Sequence, residues 1–260
     1  MREDESTFVE ERRERILDLL RDKKRVTVRE LSEYFNISEV TIRQDLNELA
    51  STGRIVRTHG GAVYIERNGN ELSFFLRKEK QKREKETIAK LAAREVCDGE
   101  VIFLDSSTTA AYMIPFLKEK HEITVVTNGI ETAYQAVNQL NATVILTGGR
   151  VRRNTFSLVG SSLSCVLPDG NISKAFLGAW GVSLREGFTD VNSDEIEVKR
   201  AAIERAQSNI LLVDSSKWGR VSFRSFAYFT DITTLISDSG VPAKMVEEIR
   251  KLGVEVIIPS

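Results

Sequence analysis

Four short clusters share one kind of chemistry: Asp105-Ser106-Ser107-Thr108-Thr109, Thr127-Asn128-Gly129, Thr147-Gly148-Gly149-Arg150 and Asp214-Ser215-Ser216-Lys217. Hydroxyls and free backbone N–H groups at a helix start suit phosphate oxygens. Gly148 and Gly149 permit close backbone approach, and Lys217 adds positive charge. Taken singly, each cluster is an ordinary cap or turn. Each follows an apolar run such as VIFL, ITVV, ATVIL or NILLV, however. If those runs are parallel strands, the clusters meet at the carboxyl edge of one sheet, where open α/β sheets hold their ligands. A small phosphorylated molecule is the expected occupant.

A second constellation lies in NISEVTIRQDLNEL, residues 36–49. Ile42, Leu46 and Leu49 recur at helical spacing and make one apolar face. The opposite side carries Gln44, with Val40, Thr41, Asn47 and Glu48 beside it and Arg43 at the edge. A face needing only solubility would be richer in Glu and Lys. This mixture suits base edges in a DNA major groove. Gln44 pairs with adenine, Arg43 with guanine or phosphate, Thr41 with several acceptors, and Val40 packs on a thymine methyl.

The elements that must carry these residues follow from periodicity and punctuation. Residues 8–22 form a first helix around Ile16, Leu17 and Leu20, closed by the basic KKR. Thr27 and Glu30 form a capping box, so a second helix starts at residue 28. Ser38 caps the third, which Gly53 stops. RIVRTHGGAVYI alternates around Gly60-Gly61 and reads as a two-stranded hairpin. Three helices and a wing make a winged helix-turn-helix that binds DNA. Residues 1–65 hold 12 Lys or Arg against 13 Asp or Glu, with the acidic side chains gathered before residue 34. The first helix is therefore expected to face away from DNA while Arg43, Arg54, Arg57 and His59 meet phosphates.

From residue 66 the chain reads as a linker, and 77–94 carries eight Lys or Arg against three Glu. That stretch gains an apolar side at Ile88, Leu91 and Val96. Beyond Gly99, short apolar strands alternate with helices, which argues for a mostly parallel sheet covered on both faces. The expected organisation is a winged helix-turn-helix over 1–65, a linker and helix over 66–85, and an α/β domain for effector binding and oligomerisation over 86–260. Glu195 and Lys199, four apart on a helix, read as a surface ion pair. Trp218 fits either a cover for the crevice or a core position.

Composition sets outer limits. With 41% hydrophobic and 29% charged residues and a formal charge of −1, the 260-residue chain has the profile of a cytoplasmic protein, without general affinity for polyanions. No run approaches the roughly 18 apolar residues of a membrane span. Cys97 and Cys165 are expected as buried, reduced thiols, and with His59 and His121 they give no zinc spacing. No cofactor or metal is called for.

The stretch SEVTIRQDLNELASTGRIVRTHGGAV resembles the DNA-binding segment of DeoR-family bacterial transcriptional repressors. DSSTT, VTNG, LTGG with RRNTFSLVG, and DSSK resemble the successive signature segments of that family's effector domain, so the resemblance spans residues 10–258. RRN followed by SLVG is similar to the branch tied to amino-sugar or related sugar catabolism. The resemblance implies a repressor whose C-terminal domain is similar in fold to ribose-5-phosphate isomerase. That domain would sense a phosphorylated sugar through Asp105, Ser107, Thr108, Thr109, Thr127, Asn128, Gly148, Gly149 and Lys217. Operator half-sites would require at least a dimer. Two departures stand out: the family usually has Gly at the place of Ser107, and commonly Asp at that of Trp180. Since the isomerases keep catalytic carboxylates there, Trp180 argues against the alternative, a sugar-phosphate isomerase with an appended DNA-binding module that would use Asp105 or Asp190 as base.

Overall fold

A computed structural model describes residues 2–23, 25–51, 55–58, 60–64, 73–161, 163–167 and 170–259. The chain divides into two compact units, Met1–Leu76 and Arg77–Ser260. The division falls inside 66–85, the span assigned to a linker and helix, and just ahead of the basic stretch 77–94.

The first unit runs α1 (Arg2–Lys23), β1 (Arg25–Thr27), α2 (Val28–Phe35), α3 (Glu39–Ser51), β2 (Ile55–Thr58) and β3 (Gly61–Tyr64). Thr27 and Glu30 close the capping box at the start of α2: the Glu30 N–H donates to Thr27 Oγ1 at 3.1 Å, and the Thr27 N–H to Glu30 Oε2 at 2.6 Å. Asn36, in the left-handed region at φ 52°, ends α2. Ser38 Oγ accepts from the Thr41 N–H at 3.2 Å and opens α3. Ile16, Leu17, Leu20, Leu31, Ile42, Leu46, Leu49 and Ile55 make the core, so the apolar faces meet as their spacing dictates. The wing has one strand more than the hairpin expected. β1 pairs antiparallel with β3, giving the order β1-β3-β2. This explains Gly61, where a Cβ would lie 2.0 Å from the Val26 carbonyl oxygen: the glycine admits the third strand. Gly53, the expected helix stop, lies outside the described residues.

The second unit is entered along α4 (Phe74–Glu79) and α5 (Lys82–Arg94). The expected single helix over the basic stretch is broken at Gln81, whose φ of 50° is left-handed. There follow β4 (Val101–Leu104), α6 (Thr108–Ala111), β5 (Thr124–Thr127), α7 (Ile130–Gln139), β6 (Thr143–Leu146), β7 (Arg150–Arg152), β8 (Ser157–Val159), α8 (Leu163–Val166), β9 (Ile172–Gly178), β10 (Gly181–Ser183) and β11 (Gly187–Asp190). The chain continues as α9 (Ser193–Arg205), β12 (Ala206–Val213), β13 (Arg224–Ala227), β14 (Thr234–Ser237), α10 (Ala243–Lys251) and β15 (Glu255–Ile257).

Seven of these strands form one parallel sheet in the order β15-β14-β12-β9-β4-β5-β6. Alternate residues serve opposite faces. Ile102, Leu104, Val125, Phe176, Ile210, Leu212 and Ile236 pack under α5 and α6. Phe103, Val126, Ala175, Leu177, Leu211, Val213 and Leu235 pack toward α9 and α10. Both faces are thus dry, which is why these strands read as continuous apolar runs. The chain leaves β4 toward β5 and β6 on one side, while β9, β12, β14 and β15 lie on the other. The direction of winding therefore changes between β4 and β9, where a crevice opens.

Two small antiparallel sheets, β7-β8 and β10-β11-β13, had no counterpart in the sequence reading. Two side-chain expectations are corrected, and the alternative left open for Trp218 is decided. Cys97 and Cys165 are exposed, because each sits on the solvent side of a turn or short helix rather than in an apolar layer. Glu195 and Lys199 are buried at 6% and 4% exposure, since α9 lays that face on the sheet edge. Trp218 packs on the core facing α9. Among the described residues no helix is long and apolar enough to cross a membrane.

Candidate functional site

In the first unit, α3 presents Val40 at 66% exposure, with Arg43, Gln44, Asn47 and Glu48 also exposed. Thr41 is half-buried, its hydroxyl 2.9 Å from that of Ser38. Arg43 is held along the helix by Glu39 at 3.0 Å. In β2, the Arg57 guanidinium donates to the Gly61 carbonyl at 3.2 Å. Burial first, and then the charge of Arg43, holds Arg57 below its ordinary pKa, so two guanidiniums share this side of the unit. Arg54 and His59 lie outside the described residues.

Sequence reasoning passed over Asp45. It lies on α3 but is 1% exposed, and it accepts from Arg12 Nε at 2.6 Å and from Arg13 Nε at 3.0 Å. The exposed face of α3 is thereby locked to α1 by a buried carboxylate with two charged partners. An Asp between Gln44 and Leu46 carries no signal of that role until α1 is placed beside it.

In the second unit, a cleft of about 470 Å³, its mouth included, lies at the carboxyl ends of β4, β9 and β12. Ser107, Thr108 and Thr109 come from the β4 end, Gly178 to Trp180 from β9, and Asp214 and Lys217 from β12. Asp190, Glu195 and Lys199 close one side, and Arg77 and Lys85 the other. The helix after β4 is a single turn, and Ser107 Oγ already accepts from the Ala110 N–H at 3.2 Å. The wall therefore carries hydroxyls and neighbouring cations rather than an open helix terminus.

The floor is a closed set of charges. Lys199 Nζ donates to Asp190 Oδ2 at 2.6 Å and to the Gly178 carbonyl at 2.6 Å, and stands 3.3 Å from Asp105 Oδ2. Burial works against the ammonium, but Asp190 and Asp105 outweigh it and hold Lys199 above its ordinary pKa. Asp105 also accepts from the N–H groups of Ser107 and Gly178 at 3.0 and 2.9 Å. Behind them, Glu195 accepts from Ser157 Oγ at 2.6 Å, Ser106 Oγ at 3.0 Å and Arg152. Burial favours its neutral form, yet Lys199, Ser157 and Arg152 bring its pKa below the usual range. Asp105 and Asp190 are thus committed to Lys199, an arrangement that holds the floor together and leaves neither as a free base.

The mouth is cationic. Lys217 Nζ and the Arg77 guanidinium stand 5.3 and 5.5 Å from the ring centre of Trp180. Burial, then Arg77, Arg220 and Lys80, lower the pKa of Lys217 against the pull of Asp214. Lys85, 4% exposed, is pushed down to about 8 by burial, with Asp214 acting against it and Lys217 and Arg77 adding to it.

The other expected contacts do not line this cleft. Thr127 is fully buried, and Asn128 donates to the Leu158 carbonyl at 3.3 Å. Gly149 is packed so that a Cβ would meet the Val159 carbonyl at 2.3 Å, and with Gly148 (φ 73°) it shapes the entry to the β7-β8 hairpin. Arg150 is exposed and paired with Asp194 at 2.6 Å, and Ser106 is turned to Glu195. All these clusters do follow parallel strands, but β5 and β6 lie on the far side of β4 from β9 and β12.

Comparison with known proteins decides the family. The DeoR-like helix-turn-helix domain matches residues 12–68, and the DeoR C terminal sensor domain matches residues 80–239. The chain belongs to the DeoR family. It is 36% identical over 249 residues to the uncharacterized HTH-type transcriptional regulator YulB of Bacillus subtilis (strain 168), covering 96% of each chain. To the HTH-type transcriptional regulator GlpR of Haloferax volcanii it is 35% identical over 247 residues, covering 95% of this chain and 96% of that one. Ribose-5-phosphate isomerase A of Methanocaldococcus jannaschii is similar over 54% of this chain and 55% of its own, with 20% identity and a TM-score of 0.41. This DeoR-family chain is accordingly a DNA-binding transcriptional repressor and not an enzyme.

Proposed function

We propose that this repressor controls a sugar-catabolic operon in the cytoplasm, and that a phosphorylated sugar in the cleft between the ends of β4, β9 and β12 sets its hold on operator DNA. The carrying observation is the pairing of a hydroxyl wall, Ser107 to Thr109, with three cations, Arg77, Lys85 and Lys217, around one cleft. Hydroxyls and ammonium groups are what a phosphate monoester needs. Asp214, on the same wall, offers a carboxylate oxygen to sugar hydroxyls, which inorganic phosphate lacks.

On the DNA side, Val40, Arg43, Gln44 and Asn47 read base edges, while Ser38, Thr41, Arg54, Arg57 and His59 position the backbone. The assembly is a homo-oligomer, at least a dimer, because paired half-sites call for paired readers. Gel shifts with the DNA upstream of the neighbouring operon, run with a panel of sugar phosphates, test both halves. The expected result is a shift that one sugar phosphate alters. A shift insensitive to every member, together with no calorimetric binding, would remove the sensor half.

A further inference from the structure

Lys85 belongs to the cleft and to the chain's entry into the second unit at once. It stands in the first turns of α5, and its Nζ donates to the carbonyl of Arg77 and, at 2.6 Å, to that of Lys80. Those carbonyls lie in and just beyond the last turn of α4, where helix carbonyls lack intrahelical partners and a cation is favoured. Between the helices stands Gln81, left-handed at φ 50° although it has a side chain, and without a side-chain cap. A left-handed non-glycine residue is costly unless its surroundings hold it there. Together with the α5 hydrogen bond from the Lys85 N–H to the Gln81 carbonyl at 3.0 Å, the Lys85 ammonium ties the elbow shut, while the Tyr112 hydroxyl donates to the Lys78 carbonyl in the last turn of α4 at 3.0 Å.

An ammonium has three N–H donors, and the carbonyls take two. The third belongs to the cleft that Lys85 lines with Ser107, Thr108, Thr109 and Lys217. The charged groups acting on it are Asp214 and Lys217 from the end of β12, Arg77 from α4 and Glu84 from α5. With the cleft free of anions, Asp214 attracts the ammonium while Lys217 and Arg77 repel it. An anion there cancels that repulsion and offers the third hydrogen bond. We infer that Lys85 couples ligand to elbow: an anion in the cleft locks the α4–α5 turn, through which the chain passes from the DNA-binding unit into the sensor. This inference rests on the reading of the cleft as an anion site. It adds the element whose order the ligand changes, which any account of coupling requires.

The test is hydrogen–deuterium exchange on the full chain with inorganic phosphate, read separately at residues 78–86 and 105–111. Phosphate is expected to slow exchange at both segments, by about fivefold or more at the elbow. In Lys85→Met, which should also bind phosphate more weakly, 78–86 is expected to stay unprotected even at the phosphate concentration that protects 105–111. Protection of 105–111 without the elbow in the wild-type chain would overturn the coupling and leave the anion site standing. Protection of neither would overturn both. Equal elbow protection in Lys85→Met and wild type would show that the ammonium is not the link. The first two readings need no variant, so a poorly folding Lys85→Met would not shield the inference.

Discussion

Lys199 illustrates how much one side chain can hold. Two carboxylates buried at 1% exposure depend on its ammonium, and a third, Glu195, lies within its field. Removing one partner of a buried ion pair leaves uncompensated charge and costs about 3–5 kcal/mol. Lys199→Met is therefore expected to destabilise the sensor unit by about that amount, read from the shift of its urea transition. An unmoved transition would show that Asp105 and Asp190 take up protons or water at little cost. The sequence placed Lys199 on a helix but not in this triad, because Asp105 lies far upstream and no local pattern links them. Lys85 was hidden for another reason: it is one of eight basic residues in a run, and only burial distinguishes it. Its depressed pKa gives the cleft a pH response. The charged form attracts the anion, so affinity for a sugar phosphate should fall as pH rises through about 8. A phosphate monoester, whose second pKa is about 6, stays dianionic throughout that range. Titration calorimetry between neutral and alkaline pH should show the decline, and Lys85→Met should lose that part of it, leaving what Lys217 contributes.

At the scale of elements, α3 is set by its apolar face and aimed by Asp45. The capping box, the Ser38 cap and the Ile42-Leu46-Leu49 spacing were all legible, since each acts over one or two turns. The third strand of the wing was not, because β1 has only three residues and owes its existence to β3. The bridge from Asp45 to Arg12 and Arg13 makes a prediction that separates aiming from contact. Asp45→Asn keeps the shape but weakens two charge-assisted hydrogen bonds, so α3 loses its fixed bearing on α1. DNA affinity should drop with little change in its salt dependence, because no phosphate contact is removed. Arg57→Ala should instead lower the slope of log affinity against log salt by about one unit. Binding isotherms at several salt concentrations distinguish the two, and a changed slope in Asp45→Asn would place that network on the DNA itself.

At the scale of the whole molecule, the parallel order was legible from its double-sided apolar strands, and the convergence of polar turns at one edge followed from it. What could not be read was which turns share the cleft. The strand order puts β9 and β12 next to β4 on the side away from β5, so the clusters after β5 and β6 are diverted to local structure. If, as proposed, ligand and DNA are held by separate units, any control of one by the other is a coupling free energy, and such couplings are typically about 1–3 kcal/mol, or 5–150-fold in affinity. Thermodynamics fixes the rest: if a sugar phosphate changes operator affinity by some factor, saturating operator DNA must change sugar-phosphate affinity by the same factor. Measuring both legs, operator binding by fluorescence anisotropy and effector binding by calorimetry with and without DNA, closes the cycle. Lys85→Met should shrink both factors together toward one, with operator binding kept and the effector held more weakly but still bound at saturation. A variant that lost effector control of DNA but kept DNA control of the effector would violate the linkage. It would mean that the two measurements report different species, such as a changed oligomer, and the elbow would then have to act through assembly.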